Sequence, residues 1–337
     1  MGIQIYQYHP LIGFHFIPNL KTRIEHENGG YLLRTNNAGF RSEHDYSGAK
    51  DSGKFRILLF GDSFTAGDAV SNKNRFGDVL ETLIPNLEVY NFGLPGTGTD
   101  QHYLTYSDIA KAYEHDLIVI ASQVENIRRV AAHHRLSISA SGEQILLAKP
   151  YFDLDADGKL ELKNVPVPSA PIKPEDLPDD ERDFVDQGGR MLWLRQIVNK
   201  MGAPVKEFAQ RVSNYQPLPE YDDPAGREWT LMKTIFREWT GECEKPVIIM
   251  PIPLYHYVEE TASPDGFRKR FAELSELSGV SLHDPMPDYY AVPKPDRRGF
   301  RFETDIHPTP AHHRLLAGSL AKAVSKFTGT GTEGVAA

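Results

Sequence analysis

The run RILLFGDSFTAGDAV, residues 56–70, ends an apolar stretch in Gly-Asp-Ser and sets Ser63 where a buried strand gives way to a helix. A serine hydroxyl holds almost no alkoxide at neutral pH, so it attacks a carbonyl only when a general base removes its proton. Near the other end of the chain, DIHPTPAHH supplies Asp305 and His307, two apart on an extended segment and therefore able to point to one side. His307 is then the base and Asp305 the acceptor that fixes its tautomer. A tetrahedral intermediate also needs donors, and the Ser63 N–H, the Gly96 N–H of NFGLPGTGTD and the Asn126 amide of ASQVENIRR can converge as an oxyanion hole. Asp62 precedes the serine, and Arg128 with Arg129 follows Asn126 directly; all three are read as substrate contacts, with a surface salt bridge the equal alternative for the two arginines.

These segments need a scaffold that gathers them. RILLF (56–60), LEVYN (87–91), DLIVIA (116–121), PVIIM (246–250) and VSLHD (280–284) are short apolar runs, separated by helical stretches such as RFGDVLETLI, DQHYLTYSDIAKAYE and GFRKRFAELSELS. Strands apolar on both faces and alternating with helices predict a doubly wound α/β domain with a five-stranded parallel sheet, whose carboxyl ends carry the function. Thr309 and Pro310 mark the start of the last helix. Residues 1–50 read as an irregular extension with short strands packed on the core, and the core as 51–134 and 241–328. Between these pieces, 135–240 reads as an α+β insertion serving as lid or substrate wall: a hairpin in PYFDLDADGKLELKNVPVP, then helices around RMLWLRQIVNKM and REWTLMKTIFREWT. Residues 329–337 read as a disordered tail.

In this order, the segments around Ser63, Gly96, Asn126 and Asp305 with His307 resemble the blocks of the GDSL or SGNH hydrolase family. The resemblance covers roughly residues 54–130 and 245–325. It implies a flavodoxin-like sheet and ester hydrolysis through an acyl-enzyme, with no metal or cofactor. A small acyl group such as acetyl, on a carbohydrate or natural product, is the substrate it suggests. The asparagine block departs from the family's Gly-x-Asn-Asp, with Val124 in the glycine place and Ile127 in the aspartate place. Two other readings stay open: an O-acyltransferase using the same triad, and a catalytically inactive binding relative.

Composition narrows the field further. At 337 residues and 40% hydrophobic content the chain buries a substantial core. Its net charge of -9, spread along the chain, argues against a phosphate-backbone partner. Cys243 is the only cysteine, which excludes an intrachain disulfide and a cysteine zinc cluster. No apolar run approaches the roughly 18 to 20 residues that span a bilayer, and the N-terminus lacks a signal-peptide pattern, so a cytoplasmic location is expected. DLDADG opens like a calcium loop, but Asn164 stands where a bidentate Glu is needed, and a hairpin turn is the better reading. The pairs His133–His134 and His312–His313 are adjacent and share no helix face, so they are not read as metal ligands. His312 or His313 remains an alternative base. Trp193, Trp229 and Trp239 are read as core packing rather than sugar stacking.

Overall fold

The computed structural model describes residues 4–138, 144–173, 177 and 216–329. Two antiparallel hairpins come first, β1 (Tyr6–His9) with β2 (Gly13–Phe16) and β3 (Lys21–Ile24) with β4 (Tyr31–Arg34). The sheet begins with β5 (Phe55–Gly61) and continues through β6 (Leu87–Asn91) and β7 (Leu117–Gln123). Two further hairpins follow, β8 (His134–Ile138) with β9 (Gln144–Ala148) and β10 (Tyr151–Leu154) with β11 (Leu160–Lys163). β12 (Val247–Ile252) and β13 (Val280–Leu282) complete the sheet. Its order is β13-β12-β7-β5-β6, and every pairing is parallel. β7 and β12 are buried along their whole length, as strands covered on both faces must be.

Helices α1 (Ser63–Ala66), α2 (Phe76–Leu83), α3 (Thr99–Asp108), α4 (Asn126–Arg129), α5 (Arg227–Gly241), α6 (Asp265–Ala272) and α7 (Pro310–Thr328) connect and cover the strands. α2 packs on α7, and α3 on α5. Thr309 caps α7 through its side chain, with Pro310 in the first turn. The doubly wound fold expected from the apolar runs is present, with each of the five strands at its expected place.

α5 lies within the stretch read as an insertion, yet it is the crossover between β7 and β12. Its Trp229 and Trp239 are fully buried, and Trp239 meets Phe60 of β5 edge-on at 5.2 Å. The hairpin β10–β11 forms, with Asp155 Oδ1 accepting from the N–H groups of Asp157 and Lys159. Trp193, the helix expected around residues 190–201 and residues 330–337 of the tail lie outside the described residues.

Strand order reverses between β5 and β7, the kind of switch point at whose carboxyl ends α/β sheets bind ligands. Residues 61–69, 92–98 and 124–130 meet there. Asn91 and Gly93 fix the second of these loops against α1: Asn91 Nδ2 donates to Thr65 O at 2.8 Å. A Cβ on Gly93 would lie 2.5 Å from Ala66 N, so only glycine permits this approach.

The N-terminal hairpins do more than cover the core. Arg41, fully buried, donates to Gly67 O at 2.5 Å, Val70 O at 2.7 Å and Asn72 Oδ1 at 2.9 Å, clamping the loop that follows α1. In that loop Ala69 has φ 69°, an uncommon conformation for alanine, held by Asn28 Nδ2 donating to Ala69 O at 3.0 Å.

Candidate active site

Ser63 is the first residue of α1 and 6% exposed. Asp62 caps the helix: its Oδ1 accepts from Phe64 N at 3.0 Å. Among the described residues no internal acceptor is recorded for the backbone N–H of Ser63 or of Gly96. Gly96 has φ +72°, a conformation that favours glycine, and its backbone is exposed.

Asn126 is completely buried at the start of α4. Its Nδ2 lies 3.5 Å from Ser122 Oγ, while its Oδ1 has no partner. Turning the amide by 180° lets Ser122 donate to Oδ1 and leaves Nδ2 as the unpartnered group in its place. Val124 and Ile127, which depart from the family pattern, are fully buried, and the Val124 carbonyl accepts the Tyr221 hydroxyl at 2.7 Å. Apolar packing on β12 and α5 accounts for both side chains.

Asp305 and His307 occupy the segment before α7. His307 Nδ1 and Asp305 Oδ1 are 2.6 Å apart, and the carboxylate also accepts from the His307 backbone N–H at 3.0 Å. With Nδ1 donating to the carboxylate, Nε2 carries the lone pair that a general base needs. The His307 ring lies 5.7 Å from that of Phe64, the residue after Ser63. In the structure as described, the Ser63 hydroxyl makes no hydrogen bond to His307. Burial opposes charge on His307, but the Asp305 hydrogen bond and the nearby carboxylates of Asp68 and Asp62 outweigh it and raise its pKa above 6.5. Burial likewise opposes the Asp305 carboxylate, yet its bonds to His307 and His26 hold it well below the usual carboxylate range.

Asp62, Arg128 and Arg129, expected at the substrate, direct their polar atoms into the chain. Arg129 Nη1 donates to Asp62 Oδ2 at 2.6 Å and to Thr97 O at 3.1 Å, so one guanidinium from α4 ties the ends of β5 and β6 together. Burial would discharge Arg129, but Asp62 and Glu125 reverse the effect and raise its pKa. Arg128 pairs with Glu220 and donates to Pro217 O at 2.9 Å.

The other histidines have structural partners. His312 Nδ1 faces Phe300 O at 3.0 Å and its Nε2 faces the Tyr289 hydroxyl at 2.5 Å; burial pushes its pKa down to about 4. His313 Nδ1 accepts from Phe76 N at 3.2 Å. Neither supplies a free base. His133 stacks on Tyr151 at 3.9 Å. No group of three His, Cys, Asp or Glu side chains suited to a metal occurs among the described residues, and none of the described helices is long and apolar enough to cross a membrane.

Four residues around the site escape a reading by spacing. His26 Nε2 lies 3.1 Å from Asp305 Oδ2, and Glu27 accepts from Thr304 N at 3.0 Å and Thr304 Oγ1 at 2.6 Å, so the β3–β4 turn buttresses the His307 segment. Asp68, whose N–H donates to Ser63 O at 3.0 Å, faces His307. Arg135 of β8 reaches Gly96: its Nη1 is 3.3 Å from where a Cβ would stand on that glycine.

No protein-family model matches the chain, and no curated protein is similar to it. Among solved structures, a member of the lipolytic protein G-D-S-L family from Veillonella parvula is 14% identical, over 81% of this chain and 99% of that one, with a TM-score of 0.41. A lipase/acylhydrolase from Enterococcus faecalis is also 14% identical, over 81% of this chain and 96% of that one, with a TM-score of 0.39.

Proposed function

We propose that the protein is a serine ester hydrolase of the GDSL or SGNH type. The observation that carries this reading is the Asp305–His307 pair: Nδ1 is fixed by a carboxylate at 2.6 Å, and the ring lies beside the residue that follows a helix-start serine. Ser63 Oγ attacks the acyl carbon as His307 Nε2 takes its proton, and the imidazolium, stabilised by Asp305, returns that proton to the departing alcohol. The N–H groups of Ser63 and Gly96 and the Asn126 amide hold the oxyanion. Water, deprotonated by the same imidazole, then releases the acid from the acyl-serine.

A small acyl group fits best. The crevice beside Phe64, lined also by Pro253, Val258, Ile306 and the charged Glu259, Arg297 and Arg301, is narrow, about 10 Å³, which supports a short acyl group over a long chain.

Hydrolysis of p-nitrophenyl acetate and of longer-chain p-nitrophenyl esters by wild type, Ser63→Ala and His307→Ala tests the reading. Turnover of the acetate, weaker turnover of the long esters and background rates in both variants are expected. Unchanged turnover in Ser63→Ala would discard the nucleophile.

A further inference from the structure

Beside Gly96 lies a cavity of about 140 Å³, close to the size that encloses a benzene ring, lined among others by Tyr8, Phe14, Arg135, Lys149, Val167 and Ser169. Most of its polar side chains are committed. Tyr8 donates its hydroxyl to Val167 O at 2.8 Å. Lys149, buried, is held by Asp100 at 2.5 Å and by Arg129 O at 2.7 Å. Gln101, also on the lining, donates to Ile12 O at 2.8 Å.

Arg135 is the exception. Its guanidinium lies 3.9 Å over the Phe14 ring, and among the described residues it has neither a carboxylate partner nor a hydrogen-bond acceptor. Stacking leaves the guanidinium edge free, with donors in the fork geometry that matches a planar carboxylate. Burial lowers its pKa and only the Tyr6 hydroxyl opposes this, so an arriving anion would meet a cation lacking its counter-charge.

We propose that this cavity is a subsite of the same active site for a carboxylate on the alcohol part of the ester, bound by Arg135. The assignment rests on the hydrolase reading, in which Gly96 is an oxyanion donor: Arg135 on the cavity lining brings Nη1 to within 3.3 Å of where a Cβ would stand on that glycine. The preferred substrate is then a small acyl ester of a hydroxy acid.

The test compares kcat/KM for 4-acetoxybenzoate and phenyl acetate in wild type and Arg135→Met, whose side chain keeps the contact with Phe14. Wild type is expected to prefer the anionic ester, and the variant's preference to fall about tenfold or more, the worth of one charge-assisted hydrogen bond. An unchanged ratio, or an equal loss on both esters, would overturn the subsite; the latter would make Arg135 an aid to the oxyanion. Arg135→Lys retains charge without the fork and should lose most of the preference, which keeps the question decidable if Arg135→Met fails to fold; full preference in the lysine variant would overturn the proposal.

Calorimetric titration with benzoate separates the subsite from the reaction. Binding weakened about tenfold in Arg135→Met, in a protein that hydrolyses neither ester, would leave the subsite standing and remove the hydrolase reading. Turnover without Arg135-dependent benzoate binding would do the reverse. Inorganic phosphate binding more tightly than benzoate would overturn the choice of carboxylate.

Discussion

His26 Nε2 sits 3.1 Å from Asp305 Oδ2, the carboxylate oxygen opposite the one that holds His307 at 2.6 Å. One carboxylate is thus fixed between two imidazoles, one from the N-terminal hairpin and one from the segment before the last helix. In the proposed hydrolase His26 is a positioning residue: it sets the carboxylate plane without touching the reacting atoms.

His26→Ala should therefore lower kcat/KM by about tenfold, at the low end for partners that orient a functional ligand. It should also move the acid limb of the pH profile upward, because a carboxylate with one hydrogen bond fewer is more basic and holds the His307 proton more tightly. A fall in rate with an unmoved pH profile would assign His26 to folding alone.

In the proposed reaction His307 works as a base only when neutral. Because the His307 pKa lies above 6.5, kcat/KM for a neutral ester should fall as pH drops, with a midpoint above that value. Asp68 raises this pKa by its charge, so Asp68→Asn should shift the midpoint down. A midpoint that stays fixed or moves up would contradict the charge relation drawn between Asp68 and His307.

The same pair makes stability depend on pH. Asp305 is depressed, so its contribution is present above the unfolded value of about 3.9 and is lost as pH falls through the folded one; His307 is raised, so its contribution is present below about 6.5 and is lost as pH rises through the folded value. Both act fully between about pH 4 and 6.5. The difference in Tm between wild type and Asp305→Asn should be widest in that window and narrow toward alkaline pH. A difference that grows above neutrality would show the signs to be wrong.

Arg41 holds the loop behind Ser63, the proposed nucleophile. Arg41→Met leaves Val70 O without a donor in a buried place, while Gly67 O keeps Val70 N and Asn72 Oδ1 keeps Arg34 N, and should cost about 1–3 kcal/mol, the range for one unsatisfied buried group. Urea unfolding measures it; a loss below about 1 kcal/mol would mean that water or relaxation replaces the clamp.

What was legible in the sequence was whatever lies close along the chain. The apolar runs of β5, β7 and β12 are long enough to declare strands buried on both faces, and Ser63, Asp305 and His307 are marked by the turns in which they sit. His26 and Asp305 are 279 residues apart, and no period or spacing joins them; only folding brings the β3–β4 turn to the last loop. Sequence pattern alone places α5 in the insertion, because a helical period shows an apolar face without saying what that face covers, which is Phe60 of the sheet. Arg129 follows the predicted oxyanion residue and invites a substrate role, whereas its reach to Asp62 and Thr97 is a matter of loop geometry.

The central claim is that Ser63 is a nucleophile activated by His307. Incubation with a fluorophosphonate, followed by intact-mass and peptide analysis of wild type, Ser63→Ala and His307→Ala, tests it most directly. The expected result is one adduct on wild type, mapped to Ser63, absent from Ser63→Ala and strongly slowed in His307→Ala. A folded wild-type protein that stays unlabelled, or that carries the adduct on another residue, would contradict the account.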